Sequence, residues 1–322
     1  MERRHFLAWT AVPALAHVCG PARAQTAQAL RLVFPFPAGG AGDALARLLA
    51  AELKVALDRP VVVENRTGAA GRIGVLAVRD SGADRGALLL TPSAPMVVYP
   101  HLYENLGYDA VRDFMPVARV AAFEMAIVID PAIPARTLQE VAEWLKENPA
   151  RANYGTPGTG TLAHLVMSAL AAHWAMPLVH VPYRGTPPAL SDVAGGQLSM
   201  ACSAIGEMLP AHQSGRVHLV ATSGSERSVF SPDTPTLRET GVPFSALNWY
   251  GLYLPAGSSP AAVSRLATAV SSAMQAESFR QKVQVLGFLP APADGAVLAV
   301  AQREESQFWA RVIRNAQIRV EQ

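Results

Sequence analysis

Short apolar runs alternate with helical patterns along most of the chain. RLVF (31–34) reads as a buried strand, and residues 43–57 follow as a helix, with Leu45, Leu48, Leu49, Leu53 and Ala56 spaced three to four apart along one face. PVVVEN (60–65) predicts the next strand, RTGAAGRIG (66–74) a glycine-rich turn opening a second helix, and ALLLTPS (87–93) a third strand with a polar tip. A second set begins with a strand at 125–129. Thr137 and Glu140 form a capping box for a helix over 138–147, which Asn148-Pro149 ends. NYG (153–155) runs into TPGTGT (156–161) and a helix over 162–175; LVHVPY (178–183) is a strand, and RGTPP (184–188) turns into a short helix ending at Gly195-Gly196. Strands follow at 198–203 and 217–222. The stretch 225–243, rich in proline, serine and charge, leads to a strand at NWYGLYLP (248–255), and the last helices start at Ser259-Pro260, Ser278 and Asp294.

This alternation predicts an α/β protein with mainly parallel sheets, in two domains, because the second set is complete in itself and the chain then returns to the first. The 322 residues suffice for two cores. Half are hydrophobic and 16% charged, which excludes extensive disorder. The first stretch stands apart: Arg3 and Arg4, an apolar run from Phe6 to about Cys19, and Ala22-Arg23-Ala24 form an export signal with a twin-arginine-like start, cleaved near Ala24. Sec export fits these residues as well. Loss of the signal leaves bases and acids equal in number, so charge gives no support to nucleic-acid binding. Cys202 is then the lone cysteine, expected as a small core residue.

Three loops of similar design follow strands and open helices: PAGGAGD, TGAAGRIG and TPGTGT. Glycine lets backbone approach a ligand, and the free N–H groups of a helix start, with its dipole, suit a carboxylate or phosphate without a basic side chain. The simpler reading of any one of them is a tight turn capped by Asp43 or Thr161; their recurrence in both domains points to a site between them. Glu64 at the end of the second strand imitates the ribose-binding acid of a dinucleotide fold, but the first loop lacks both the P-loop lysine and the third glycine of G-x-G-x-x-G. His164, His173 and His180 match no metal template, and neither G-x-S-x-G nor H-E-x-x-H is present, so no cofactor, metal or catalytic set is expected.

Taken together, FPFPAGGAGDALARLLA, VVVENRTGAAGRIG, YGTPGTGTLAHL, VPYRGTPPALSDVAGGQL, SPDTPTLRETGVP and WYGLYLPAGSSP resemble, in order and over essentially all of the mature chain, the solute-binding proteins of tripartite tricarboxylate transporters, the Bug or TctC family. The resemblance implies a two-lobed, type II-like periplasmic binding protein without enzymatic activity, with lobe 1 at 25–128 and 245–322, lobe 2 at 129–244, and the ligand in the cleft between them. It implies a periplasmic monomer that delivers a small organic acid (a di- or tricarboxylate, an acidic amino acid or an aromatic acid) to membrane permease subunits. An exported enzyme acting on a carboxylate and a partner of a membrane sensor kinase remain as alternatives. By position, Pro37, Ala38, Gly39 and Gly40 form one jaw with Asp43 beginning its helix, and Thr156, Gly158, Thr159 and Thr161 the facing jaw; Asn65, Thr91, Ser93, Tyr183 and Ser203 are further ligand-binding candidates at strand ends. The sequence departs from the family pattern at Arg72, where a small polar residue is usual, and at ADRGALLL (83–90).

Overall fold

The strand from Phe114 to Ile129 belongs to two sheets. Up to Glu124 it pairs with Leu247–Pro255, and from Met125 onward it pairs with Met200–Ala204 and His218–Thr222. This computed structural model describes residues 29–83 and 86–315; the expected signal peptide at 1–24 lies outside the described residues.

In chain order the first elements are β1 (Leu30–Phe34), α1 (Ala41–Leu57), β2 (Val61–Asn65), α2 (Arg72–Arg79), β3 (Ala87–Pro92), the single-turn helices α3 (Ala94–Val97) and α4 (Tyr99–Leu102), and β4 (Phe114–Ile129). The second set comprises α5 (Leu138–Glu147), β5 (Asn153–Thr156), α6 (Leu162–Trp174), β6 (Val179–Pro182), α7 (Thr186–Ala194), β7 (Met200–Ala204), α8 (Ile205–Gln213) and β8 (His218–Thr222). The chain then returns through β9 (Leu247–Pro255), α9 (Pro260–Gln275), α10 (Glu277–Val285), β10 (Leu289–Asp294) and α11 (Gly295–Asn315).

The strand order is β2-β1-β3-β9-β4-β7-β5-β6, with β8 and β10 also pairing β4. The sequence reading of mainly parallel sheets holds in the wings, where β2-β1-β3 and β7-β5-β6 are parallel. It is corrected at the centre, where β9 is antiparallel to β3 and β4, and β7, β8 and β10 are antiparallel to β4. The reason is the double crossing: β4 carries the chain out of the first set and β9 brings it back, so the two run in opposite senses. Helices cover both faces, giving a two-lobed fold. We propose the lobe assignment 25–128 with 245–322, and 129–244, on this exchange of partners along β4, which falls a few residues before the first of those boundaries.

β3 is buried along its whole length, as its unbroken Ala87-Leu88-Leu89-Leu90 run requires of a strand covered on both faces. On α1 the fully buried residues Leu45, Leu49 and Leu53 recur every four positions and fix the helix against the sheet; truncating one to alanine would cost about 2–5 kcal/mol. α1 starts at Ala41, two residues before the expected Asp43, and α10 starts at Glu277 rather than Ser278. β4 starts eleven positions before the expected strand at Met125. β10 was not visible in the pattern: LPAPAD places proline at alternate positions, which removes ladder donors and reads as a loop, yet it persists as an irregular strand whose register shifts between Pro290 and Ala293.

Candidate functional site

The C-terminal ends of the parallel strands β1, β3, β5 and β7 feed loops into one crevice between the lobes, the place where open α/β sheets hold ligands. The crevice contains a cavity of about 70 Å³. The lobes touch around it: a β-carbon on Gly185 would lie 2.9 Å from Pro37, one on Gly158 3.0 Å from Ala70, and one on Gly206 1.9 Å from the Leu286 carbonyl oxygen.

The first-lobe wall is the loop between β1 and α1. Gly39 turns it with a φ of 91°, which favours glycine, and Gly40 caps α1 without a side-chain bond. Asp43 is thus not the expected cap. It lies inside the first turn and reaches back, its Oδ2 accepting from the Gly39 N–H at 3.0 Å and from Arg47 Nε at 2.9 Å, while Oδ1 accepts from Asn65 Nδ2 at 2.9 Å. Asn65 also donates to the Phe36 carbonyl at 3.0 Å. Burial pushes the Asp43 carboxyl up, but the bonds from Arg47, Gly39 and Asn65 outweigh it and hold the group below the usual aspartate range. Of the jaw residues, Pro37 and Gly40 line the cavity; Ala38 and Gly39 are exposed on its outer side, and Asp43 and Asn65 brace the loop from behind. A β-carbon on Gly42 would lie 2.5 Å from Tyr250 Oη and 2.6 Å from Phe34 Cζ, so glycine here seats the helix start directly on the aromatic floor.

The second-lobe wall is TPGTGT. Thr161 caps α6, its Oγ1 accepting from the His164 N–H and donating to the Gly158 carbonyl at 2.8 Å. Thr161 lines the cavity together with Leu162 and Ala163, whose N–H groups belong to the first turn that a helix leaves unpaired. Thr156 faces away, with Oγ1 2.7 Å from His180 Nε2; Gly158 packs on Ala70, and the Thr159 carbonyl accepts from Tyr103 Oη at 2.9 Å. Beneath the loop the His164 and His180 rings stack with centroids 4.1 Å apart, and His164 Nδ1 accepts from the Gly160 N–H at 3.2 Å. Burial lowers both histidines, His164 to about 4 and His180 to about 3, the latter with repulsion from its neighbour. Arg72 lies 4.2 Å over the Tyr103 ring, outside the cavity lining.

Four further candidates are arranged as follows. Ser203 lines the cavity, its Oγ 2.6 Å from Thr186 Oγ1. Thr91 is fully buried and donates to the Pro92 carbonyl, and Ser93 donates from both its N–H and its hydroxyl to Asn248 Oδ1, at 3.0 and 2.7 Å. Tyr183 donates to Asp192, outside the cavity; burial first, then Asp192, pushes its phenol up to about 12. Glu64 is engaged with Arg31 and Arg66, away from the crevice, and burial pushes the Cys202 thiol up, so it is inert packing.

Sequence reasoning missed Asn248, Tyr250, Thr186 and Glu207, all of which line the cavity. Asn248 Oδ1 accepts from Ser93 and from the Trp249 N–H, which leaves its amine end for the cavity; the signal was a lone amide in an apolar strand. Tyr250 stacks on Phe123 with centroids 4.8 Å apart and forms the floor. Glu207, in the first turn of α8, crosses from the second lobe: a β-carbon on Gly40 would lie 2.8 Å from its Oε1. Ser203 Oγ donates to its Oε2 at 3.5 Å, and Thr186 and the Gly42 N–H also direct donors at it, although burial pushes this carboxyl up. Its signal was an acid three residues beyond a buried strand end.

Among the described residues no group of His, Cys, Asp and Glu is arranged to hold a metal ion, and no helix is long and apolar enough to cross a membrane. A family model described as tripartite tricarboxylate transporter family receptor matches residues 45–318. BugT of Bordetella pertussis is 31% identical over 305 residues, 94% of each chain. Among solved structures, the periplasmic binding protein BugD superposes with a TM-score of 0.86 at 29% identity, over 91% of this chain and 99% of that one. MatC from Rhodopseudomonas palustris with bound malate superposes with a TM-score of 0.82 at 30% identity, over 88% and 98%. With the motifs, the fold and these matches in agreement, the chain belongs to the tripartite tricarboxylate transporter receptor family, whose members are periplasmic solute-binding proteins rather than enzymes.

Proposed function

We propose that this protein captures a small organic acid between its lobes in the periplasm and delivers it to the permease subunits of a tripartite tricarboxylate-type transporter. The observation that carries this reading is the convergence of the starts of α1 and α6 on one cavity whose lining, among the described residues, contains no Lys, Arg or His. Helix-start N–H groups and their dipoles suit a carboxylate without a counter-cation. The apolar floor of Phe34, Phe123 and Tyr250 suits the carbon body of such an acid. The malate held by the similar MatC supports a carboxylate ligand.

We assign the carboxylate to the N–H groups of Leu162 and Ala163 beside Thr161, with Gly40, Ser203 and Asn248 facing it. Closure is the mechanism: a ligand that contacts both walls favours the closed pairing of lobes by its differential affinity for it. A micromolar dissociation constant, about −8 kcal/mol, is the expected range. The test is thermal unfolding of the mature chain against a panel of mono-, di- and tricarboxylates, amino acids and aromatic acids, with NAD as control. A midpoint raised by one class of acid supports the reading, because ligand that binds the folded state stabilises it; a rise with NAD alone overturns it.

A further inference from the structure

The crevice already contains one carboxylate, and it is the protein's own. Glu207 leaves the first turn of α8 in the second lobe and places Oε1 where a side chain on Gly40 would begin, at the start of α1 in the first lobe. Three groups are within reach to donate to it: the Ser203 hydroxyl at 3.5 Å, the Thr186 hydroxyl, which lies 2.6 Å from Ser203 Oγ, and the Gly42 N–H. Among the described residues, no basic side chain lines the cavity to offset it. The first-lobe anion position is therefore filled from within, whereas the start of α6 across the cavity, at Leu162 and Ala163, has no internal carboxylate against it.

We infer that Glu207 sets the charge selectivity of the crevice: its carboxylate holds the anion position at the start of α1, so the acid taken up carries one carboxylate, directed to the start of α6, and presents a hydrogen-bond donor, above all an ammonium group, toward Glu207. This rests on the receptor reading and narrows it. A ligand with a second carboxylate at that end would set like charges side by side in a part-buried place, where their repulsion is stronger than in bulk water. An ammonium group in the same place gains an ion pair and brings no net charge with its acid. Malate, held by MatC, is a dicarboxylate, so the inference gives this chain a ligand class different from the acid bound by that neighbour.

The experiment is calorimetric titration of the mature chain and of Glu207→Gln with acids matched in length: 4-aminobutanoate against succinate, and 5-aminopentanoate against glutarate, with butanoate as the singly charged control. Wild type is expected to bind the ammonium-bearing acid at least tenfold tighter than the dicarboxylate of the same length. Glu207→Gln is expected to shrink that ratio at least tenfold, mainly by admitting the dicarboxylate, with Glu207→Ser giving the same shift should the glutamine variant fold poorly. A side chain that merely helped start α8 would alter affinity or stability without changing the ratio. Equal binding of both classes by wild type, or an unchanged ratio in the variants, overturns the inference and leaves the receptor reading intact. Silence toward every one of these acids by wild type and variants alike overturns the inference, and the receptor reading then falls only if the wider panel of acids is silent too.

Discussion

The two walls of the crevice reach the same backbone geometry by different chemistry. The first-lobe loop is held by charge: the Asp43 carboxylate gathers the Gly39 N–H, Arg47 and Asn65 into one network behind it. The second-lobe loop is held by neutral groups: Thr156 and Thr161 hydroxyls bonded to the loop itself, over a pair of stacked imidazoles. The difference teaches that a helix start can be kept ready for an anion in either way, provided that the bracing group is spent on the loop and not on the ligand. It also separates the conditions under which each wall fails.

The largest expected effect tests the shared geometry. Gly40 faces Glu207 across the crevice, and a leucine there fills the space between the walls. Gly40→Leu is expected to weaken ligand binding from micromolar to millimolar, about 4 kcal/mol, with a somewhat lower but still cooperative unfolding transition in the absence of ligand, because Glu207 must move aside. Calorimetric titration beside a thermal melt checks both halves. Wild-type affinity in this variant would remove the first-lobe loop from the site.

The next effect separates the walls by pH. A histidine held neutral in the fold takes up its proton more readily when unfolded, so the stability it contributes is complete above the unfolded value near 6.5 and is lost as pH falls through the folded values, about 4 for His164 and about 3 for His180. For His164 the loss approaches about 3 kcal/mol at the acid end of that range. Asp43, held below the usual 3.8, keeps its contribution until pH falls below that value. Urea unfolding between pH 7.5 and 4 should therefore show a decline that His164→Gln flattens and Asp43→Asn leaves in place. A decline untouched by the histidine change would assign it elsewhere.

How much of this was legible in the sequence follows from which signals are local. The three glycine-rich loops, the Thr137 and Glu140 box and the Thr161 cap could be read directly, because each is settled within a few residues. Motif order was enough to name the family. Side-chain direction was not legible: Thr156 and Tyr183 sit in the right loops but are committed to His180 and Asp192, and that depends on partners 24 and 9 residues away. Glu207 and Asn248 were hidden for the opposite reason. They lie in segments dominated by burial, where a lone polar residue gains meaning only once β7 and β9 are brought beside β4. The first part of β4, before Met125, and the proline-bearing β10 were missed because pairing across the whole molecule, not local pattern, makes them strands.

Within the first-lobe wall, Asp43→Ala should cost about 1 kcal/mol, because it removes the acceptor shared by the part-buried Asn65 amide and the Gly39 N–H, although Asn65 keeps its bond to the Phe36 carbonyl and water can reach Gly39. Denaturant unfolding measures the cost, and affinity should fall as well, since Gly40 is positioned through that N–H. A cost below about 0.5 kcal/mol, the level of an ordinary surface change, would mean that the loop holds its shape without the carboxylate.

Arg47→Ala gives the smallest effect and the sharpest reading of the network. Arg47 meets Asp43 at 2.9 Å and Asn65 Oδ1 at 3.3 Å, so on contacts alone it looks as central as the aspartate. Its side chain is 55% exposed, however, against 5% for Asp43, and water can replace what an exposed guanidinium donates. The pair is also an i,i+4 pair on a helix, worth about 0.2–0.5 kcal/mol, and Asp43 keeps two donors without it. The substitution should therefore cost at most about 0.5 kcal/mol, diminish further in high salt, and change ligand affinity less than about twofold. If Arg47→Ala matched Asp43→Ala instead, the ion pair would be what shapes the loop. The contrast between the walls would then be one of charge alone, with the bond from the Gly39 N–H its consequence.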